Sequence, residues 1–225
     1  MAFDLVIFDL DGTLFDTATD LMASLNHTIG SIGLEPVNLD QMTYLVGRGA
    51  MAMIARALEL RNSVVNETEM KRLFAVFLDH YGASMPGDTK LYPGAEKAMK
   101  RLSNAGIAMA VCTNKTERMA VRLLELTGIL SNFKAVTGGD TFEFRKPDGR
   151  HLLGTIEMAG ADSSRSLMIG DSINDIAAAR NAAIPSIAVP FGYSEHAVEE
   201  LGADLIMPHY DQLNPDLVSR LVGTG

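Results

Sequence analysis

The residues best suited to chemistry fall in four short stretches. Asp9 and Asp11 stand two apart in VIFDLDGTLFDT, Thr113 and Asn114 in CTNK, Lys146 in FRKPDG, and Asp171 and Asp175 four apart in GDSIND. Two neighbouring carboxylates raise each other's pKa unless a cation or a shared proton relieves them. Hard oxygen ligands from Asp9 and Asp171, with waters and a phosphate oxygen, suit six-coordinate Mg²⁺. An aspartate held in this way can attack phosphorus and form an aspartyl phosphate. Asp11 would protonate the departing alkoxide and then deprotonate the attacking water. Thr113 and Lys146 would hold the equatorial oxygens, and stabilising that charge is most of the task in phosphoryl transfer. Each group also has a plainer reading. Asp11 with Gly12 makes a turn, Thr113 caps a helix, Lys146 is a solvated lysine, and Asp171 and Asp175 are loop and helix-start acids. The chemical reading rests on all of them arriving together at successive strand ends of one sheet.

The elements that must position them follow from apolar patterning. Phe3, Leu5, Val6, Ile7 and Phe8 form a nearly unbroken apolar run, the mark of a strand buried on both faces, and Gly12 and Thr13 break it just past the acids. Further short strands are predicted at residues 107–112, 134–136, 166–169, 186–189 and 205–207. Helices fall between them at residues 96–104, 117–126 and 151–159, with Gly106, Gly128 and Gly160 at the stop positions. This alternation predicts a Rossmann-like α/β core, a parallel sheet with helices on both faces. In such sheets ligands sit at the carboxyl ends of the strands. The CTNK stretch is expected at the start of a helix, where free backbone N–H groups favour a phosphate.

One region breaks the rhythm. Residues 16–82 show helical stripes, Leu21, Leu25, Ile29 and Ile32 in one and Met70, Leu73, Phe74, Phe77 and Tyr81 in another, with no convincing strand. The chain then returns through MPGDTKLYPG. The expected organisation is an α/β core of residues 1–15 and 83–225, with residues 16–82 as an inserted all-helical cap placed to act as a lid.

Composition sets outer limits. With 225 residues, 47% hydrophobic and 21% charged, the chain is long and apolar enough for a substantial core. A net charge of −9 speaks against nucleic acid or a membrane surface as a general partner. The single cysteine, Cys112, permits neither an internal disulfide nor a cysteine metal cluster. No signal-peptide pattern and no apolar run of about 20 residues is present, so a cytoplasmic protein is expected, monomeric or homodimeric.

Four motifs in order, DLDGTLFDT, CTNK, RKPDG and GDSINDIAAARNA, resemble those of the haloacid dehalogenase superfamily, and the chain looks close there to its phosphoglycolate phosphatases. The resemblance covers nearly the whole chain, because the helical insertion is similar to that family's cap. It implies Asp9 as nucleophile, Asp11 as general acid and base, and Mg²⁺ on Asp9, the Asp11 main-chain carbonyl and Asp171. It further implies Asp175 as support for the metal shell, and Thr113, Asn114 and Lys146 on phosphate. Gly149 departs from the pattern, since many relatives carry a second proline there. Dehalogenation is disfavoured by Asp11, because a halide leaving group needs no proton. A sugar phosphomutase or sugar phosphatase of the same fold stays open, as does an interaction protein that keeps the fold without turnover. Within the insertion, YLVGRGAMAMIARAL places Arg48 between Gly47 and Gly49 and resembles the loop that covers substrate in phosphoglycolate phosphatases. The expected substrate is a small phosphorylated metabolite with a carboxylate, 2-phosphoglycolate, and Arg48 is the expected carboxylate ligand.

Overall fold

A computed structural model describes residues 4–223, so the expectation for Phe3 lies outside the described residues. The sheet has six parallel strands in the order β5-β4-β1-β6-β7-β8: β1 Leu5–Phe8, β4 Ala108–Cys112, β5 Ala135–Thr137, β6 Ser166–Gly170, β7 Ser186–Ala188 and β8 Leu205–Ile206. β1 is central and pairs in register with β4 on one side (Phe8 with Val111) and β6 on the other (Phe8 with Ile169). The chain builds β4 and β5 outward from β1, then crosses to lay β6, β7 and β8 on the opposite side. The crevice of such a sheet opens where that direction reverses, beside the carboxyl end of β1. The strands keep the predicted positions to within one residue at each end.

Alternation along β1 divides the core in two. Leu5 and Ile7 face one layer, formed by α6 (Gly149–Ala159) and α7 (Ile173–Asn181) through Leu152, Ile156, Ala178 and Ala179. Val6 and Phe8 face the other, formed by α4 (Ala95–Asn104), α5 (Glu117–Leu126) and α8 (Pro215–Val222). β1, β6 and β7 are buried along their whole length on both faces, which accounts for their unbroken apolar runs in the sequence.

Between the first turn and α4 lie three helices, α1 (Ala18–Gly30), α2 (Ala50–Leu60) and α3 (Glu67–Ser84). Leu21, Leu25, Ile29, Leu73, Phe77 and Tyr81 are buried, as their spacing requires, and they join the same apolar cluster as Val6 and Phe8. Ile32 does not extend the α1 stripe as a helical residue, because the helix ends at Gly30 and turns through Gly33 at φ +77°. Asn66 starts α3 by accepting from Glu69 N at 2.9 Å.

Two strands of two residues each, β2 (Phe15–Asp16) and β3 (Lys90–Leu91), pair antiparallel where the chain leaves and re-enters the core. No periodicity can be read from two residues, so sequence patterning misses this ribbon. Asp20 ties it further by accepting from Asp88 N at 3.1 Å, Thr89 N at 2.8 Å and the Thr89 hydroxyl at 2.6 Å. α1 has no side-chain cap of its own. Instead the Tyr193 hydroxyl, from the loop after β7, accepts from Thr17 N at 2.8 Å and Ala18 N at 3.0 Å.

Candidate active site

The turn after β1 closes on itself through Gly12 N to Phe15 O at 2.8 Å and Phe15 N to Leu10 O at 2.9 Å. Leu10 drops into the core, so Asp9 and Asp11 emerge at the sheet end, 2% and 4% exposed. Gly12 sits at φ +82°, and a Cβ there would lie 2.4 Å from Asp171 Oδ2. Only glycine meets both demands, the left-handed backbone and the close approach.

Three carboxylates converge. Ligand oxygens of Asp9, Asp171 and Asp175 lie within 4.8 Å of one another, all buried. Asp171 is held by the Thr13 hydroxyl at 2.9 Å and Tyr193 N at 2.8 Å. Asp175 sits in the first turn of α7, where it closes a capping box by accepting from Ser172 N at 3.0 Å and the Ser172 hydroxyl at 2.6 Å. Its other oxygen accepts from Lys146 Nζ at 2.6 Å. That ammonium also donates to Cys112 O at 2.6 Å and lies 2.9 Å from Asp9 Oδ1. The approach to Asp9 is close enough for ion pairing but not aligned as a hydrogen bond, so Asp9 Oδ1 is a buried oxygen without a directed donor.

Three clustered acids, two of them paired with the one lysine, leave the cluster short of positive charge. Burial pushes the Asp9 carboxyl up to about 7, opposed by Lys146 and reinforced by Asp175 and Asp11. Asp171 is pushed well above the usual range by burial, then by Asp175 and Asp9. Burial disfavours the Lys146 ammonium, yet Asp175 and Asp9 outweigh it and move its pKa upward. The orphaned Asp9 oxygen and the excess of carboxylates fit a hard cation bound among these side chains.

Asp11 belongs to a second grouping. Both its oxygens accept from Lys115 Nζ at 2.9 Å, and Oδ1 also accepts from the Thr17 hydroxyl at 2.8 Å. Lys115 is 8% exposed, and its ammonium lies 4.5 Å from the centre of the Tyr81 ring on α3. Burial works against the Lys115 charge, but Asp11, with Tyr81, raises its pKa overall. Lys115 is a residue of this site that the sequence expectation for CTNK leaves out. The available signal was a lysine directly after two polar residues at a strand end.

The structure corrects the expected helix start at CTNK. Thr113 and Asn114 are buried at the end of β4 but lie in a loop, because α5 begins only at Glu117. Glu117 N at that helix start already donates to Asp140 Oδ1 at 2.7 Å, and Lys115 N donates to Thr113 Oγ1 at 3.2 Å. Asn114 Nδ2 donates to Lys146 O at 3.1 Å, fastening two of the loops together. Gly149 has a packing reason: a Cβ there would meet Ala182 N at 2.6 Å, so its absence lets α6 begin against the end of α7.

Thus Asp9, Asp11, Thr113, Asn114, Lys146, Asp171 and Asp175 gather at one sheet edge, and Arg48 does not join them. Its guanidinium donates to Glu195 Oε2 at 3.0 Å with both side chains about half exposed, 45% and 46%. The neighbouring Gly47 carbonyl faces the core instead, accepting from Asn114 Nδ2 at 3.4 Å and Asn174 Nδ2 at 3.5 Å. Helical spacing and flanking glycines place Arg48 between two helical stretches, where it ends the short 3₁₀ helix Thr43–Arg48, but they do not fix which way its long side chain turns. A cavity of about 260 Å³ lies under the helices beside Asp11, bordered by Lys115, Tyr81, Phe77, Met53 and Arg145.

A parallel sheet whose central strand ends in two buried aspartates, faced by a lysine and two more acids, is the site of a haloacid dehalogenase-like hydrolase, and the chain belongs to that family, whose profile matches residues 6–189. It is a phosphatase. It is 55% identical over 221 residues to the phosphoglycolate phosphatase of Agrobacterium fabrum, covering 98% of this chain and 95% of that one. To the phosphoglycolate phosphatase of Mesorhizobium japonicum it is 43% identical over 222 residues, covering 99% and 98%. Among solved structures, a predicted phosphoglycolate phosphatase from Haemophilus somnus superposes with a TM-score of 0.87 at 26% identity, covering 99% of this chain and 98% of that one. No helix among the described residues is long and apolar enough to cross a membrane.

Proposed function

We propose that the protein is a Mg²⁺-dependent hydrolase of 2-phosphoglycolate that works through an aspartyl phosphate on Asp9. The observation that carries the reading is the three-acid cluster served by one lysine, with Asp11 held apart from it by Lys115 and Thr17. Near full-length similarity to two phosphoglycolate phosphatases supports the choice of substrate.

Asp9 and Asp171 side chains, with the Asp11 main-chain carbonyl, would hold the ion. When bound it neutralises the carboxylates and draws phosphoryl charge. Asp9 attacks phosphorus and the ester P–O bond breaks, while Asp11 delivers its proton to the departing alkoxide. Asp11 then takes a proton from water, whose oxygen attacks the aspartyl phosphate and returns the Asp9 carboxylate with inorganic phosphate. Lys146 holds Asp9 and the transferring phosphoryl oxygens, with Thr113 and Asn114 beside it. Asp175 orients Lys146 and supports the metal shell. Residues 16–82 act as the cap over a core of residues 1–15 and 83–225, and the protein works on a small phosphorylated metabolite in the cytoplasm.

Phosphate release across a panel of small phosphomonoesters tests the reading. Activity should vanish with EDTA, return with Mg²⁺ and be greatest with 2-phosphoglycolate, and Ca²⁺ should inhibit because its looser coordination disturbs in-line geometry. Phosphate delivered to a sugar hydroxyl rather than water would favour a phosphomutase instead.

A further inference from the structure

The cavity beside Asp11 has a chemistry of its own. Asp11 borders it, whereas Asp9, Asp171, Asp175 and Lys146 do not. In the proposed reaction Asp11 must touch the ester oxygen that leaves, so the space on its side receives the alcohol half of the substrate. Most of the wall is apolar, from Leu21, Val46, Met53, Phe74, Phe77 and Met119, and it is small for a ligand site at about 260 Å³. Two cationic side chains border it, Lys115 and Arg145. Arg145 is exposed at the rim, while Lys115 is buried between Asp11 and the Tyr81 ring.

We propose that Lys115, a residue of the core rather than of the covering loop, recognises the substrate's carboxylate and so sets specificity for short carboxylated phosphomonoesters. The inference rests on the phosphoglycolate reading and names the group that would carry its selectivity. An ammonium has three donors, and in the resting arrangement two are directed at Asp11. Turning one of them to a substrate carboxylate gives Lys115 an anionic partner when Asp11 carries the proton it must deliver, so the ammonium is never buried without one. In 2-phosphoglycolate one methylene separates the carboxylate carbon from the ester oxygen. A cation that touches both Asp11 and that carboxylate therefore brings the leaving oxygen to Asp11. An uncharged alcohol half has nothing to offer Lys115, which then stays on Asp11 with both donors. The Tyr81 ring adds a face to the ammonium from α3, so the recognition site is complete only with the helices in place.

The test uses two inert phosphonates of equal chain length, 3-phosphonopropionate, which replaces the ester oxygen of phosphoglycolate by a methylene, and propylphosphonate, which lacks the carboxylate. Affinities are measured by calorimetry on the Mg²⁺-loaded wild type, Lys115→Met and Lys115→Gln. The wild type should prefer 3-phosphonopropionate by about 10- to 150-fold, the range of a charge-assisted pair. Both variants should lose that preference mainly through weaker binding of 3-phosphonopropionate. An equal weakening of both ligands would show that Lys115 only holds Asp11, and an intact preference would show that the carboxylate is read elsewhere. Either result overturns the inference while leaving the phosphoglycolate reading in place, whereas a wild type that prefers propylphosphonate overturns both. A crystal structure of the wild type with 3-phosphonopropionate needs no variant to fold. Its carboxylate should lie within hydrogen-bond distance of Lys115 Nζ, and a carboxylate on Arg48 or Arg145 instead would refute the assignment.

Discussion

Asp9 and Asp11 are two residues apart, equally buried, and each faces a buried lysine, yet their surroundings differ in charge balance. Lys146 pairs with two of three clustered carboxylates, Asp9 and Asp175, and one oxygen of Asp9 still lacks a directed donor. Lys115 serves Asp11 alone, with Thr17 as a second donor and an aromatic ring behind. The first grouping is short of a cation and fits a metal and a phosphoryl group. The second is balanced and must rearrange before Asp11 can serve a leaving group. In the proposed reaction two carboxylates on one turn would thus acquire different tasks from what faces them, a division that pairs of catalytic acids commonly use.

The largest break in this comparison is Asp9→Asn. An amide cannot form the aspartyl phosphate, so phosphate release should fall to background while substrate binding persists, as read by rapid-quench and equilibrium binding. Because one of three crowded acids is removed, the metal-free variant should also melt a few degrees higher, about the shift expected for roughly 1 kcal/mol. Turnover near the wild-type rate in a preparation free of deamidated protein would remove Asp9 as nucleophile.

Asp11→Asn should cost less and depend on the leaving group. Alkyl phosphates should lose about 10² to 10⁴ in rate, the scale of general acid catalysis, and an aryl phosphate with an acidic leaving group should lose less in the phosphorylation step. Equal losses in that step would mean that Asp11 shapes the site rather than donating a proton.

A third effect reaches the Lys146 side through its backbone. His151 is fully buried in α6 and its Nδ1 accepts from Lys146 N at 3.2 Å. Burial, helped by the Lys146 charge, pushes this imidazole down from 6.5 to about 4. The folded form therefore holds it neutral, and the unfolded chain binds the extra proton first as pH falls. Its contribution to stability is complete above about 6.5 and is lost toward pH 4, by up to about 3 kcal/mol. Denaturant titrations should show a shallower loss across this window in His151→Gln than in the wild type, and parallel curves would contradict the assignment.

Arg48→Ala should have the smallest effect. A half-exposed pair with Glu195 contributes about 0 to 1 kcal/mol, so stability and kcat/KM for phosphoglycolate should change by less than about fivefold. A larger loss confined to the carboxylated substrate would return Arg48 to the role its loop suggested from sequence.

Legibility followed the range of the interactions. Strands buried on both faces leave continuous apolar runs, and the stops after them are local, so β1, β4, β6 and the acids at their ends could be read from residue order. Helices α1 and α3 of the insertion are legible from their stripes, but the two-residue ribbon β2–β3 is too short to leave a period. CTNK reads as a helix start because polar residues after a strand resemble a cap. The preceding loop instead spends its donors on itself, and Asp140 from a distant turn caps α5.

By itself the sequence determined the parallel α/β core, the helical insertion, and the set of residues gathered at the sheet edge, because strand direction and strand ends are properties of neighbouring residues. Tertiary structure decided which cation meets which acid. Lys115 reaches Asp11 across 104 positions and Lys146 reaches Asp175 across 29. Arg48 turns away to Glu195, 147 positions on. A long charged side chain can swing over several ångströms, and its final partner depends on burial and charge supplied by other segments, which no local pattern contains.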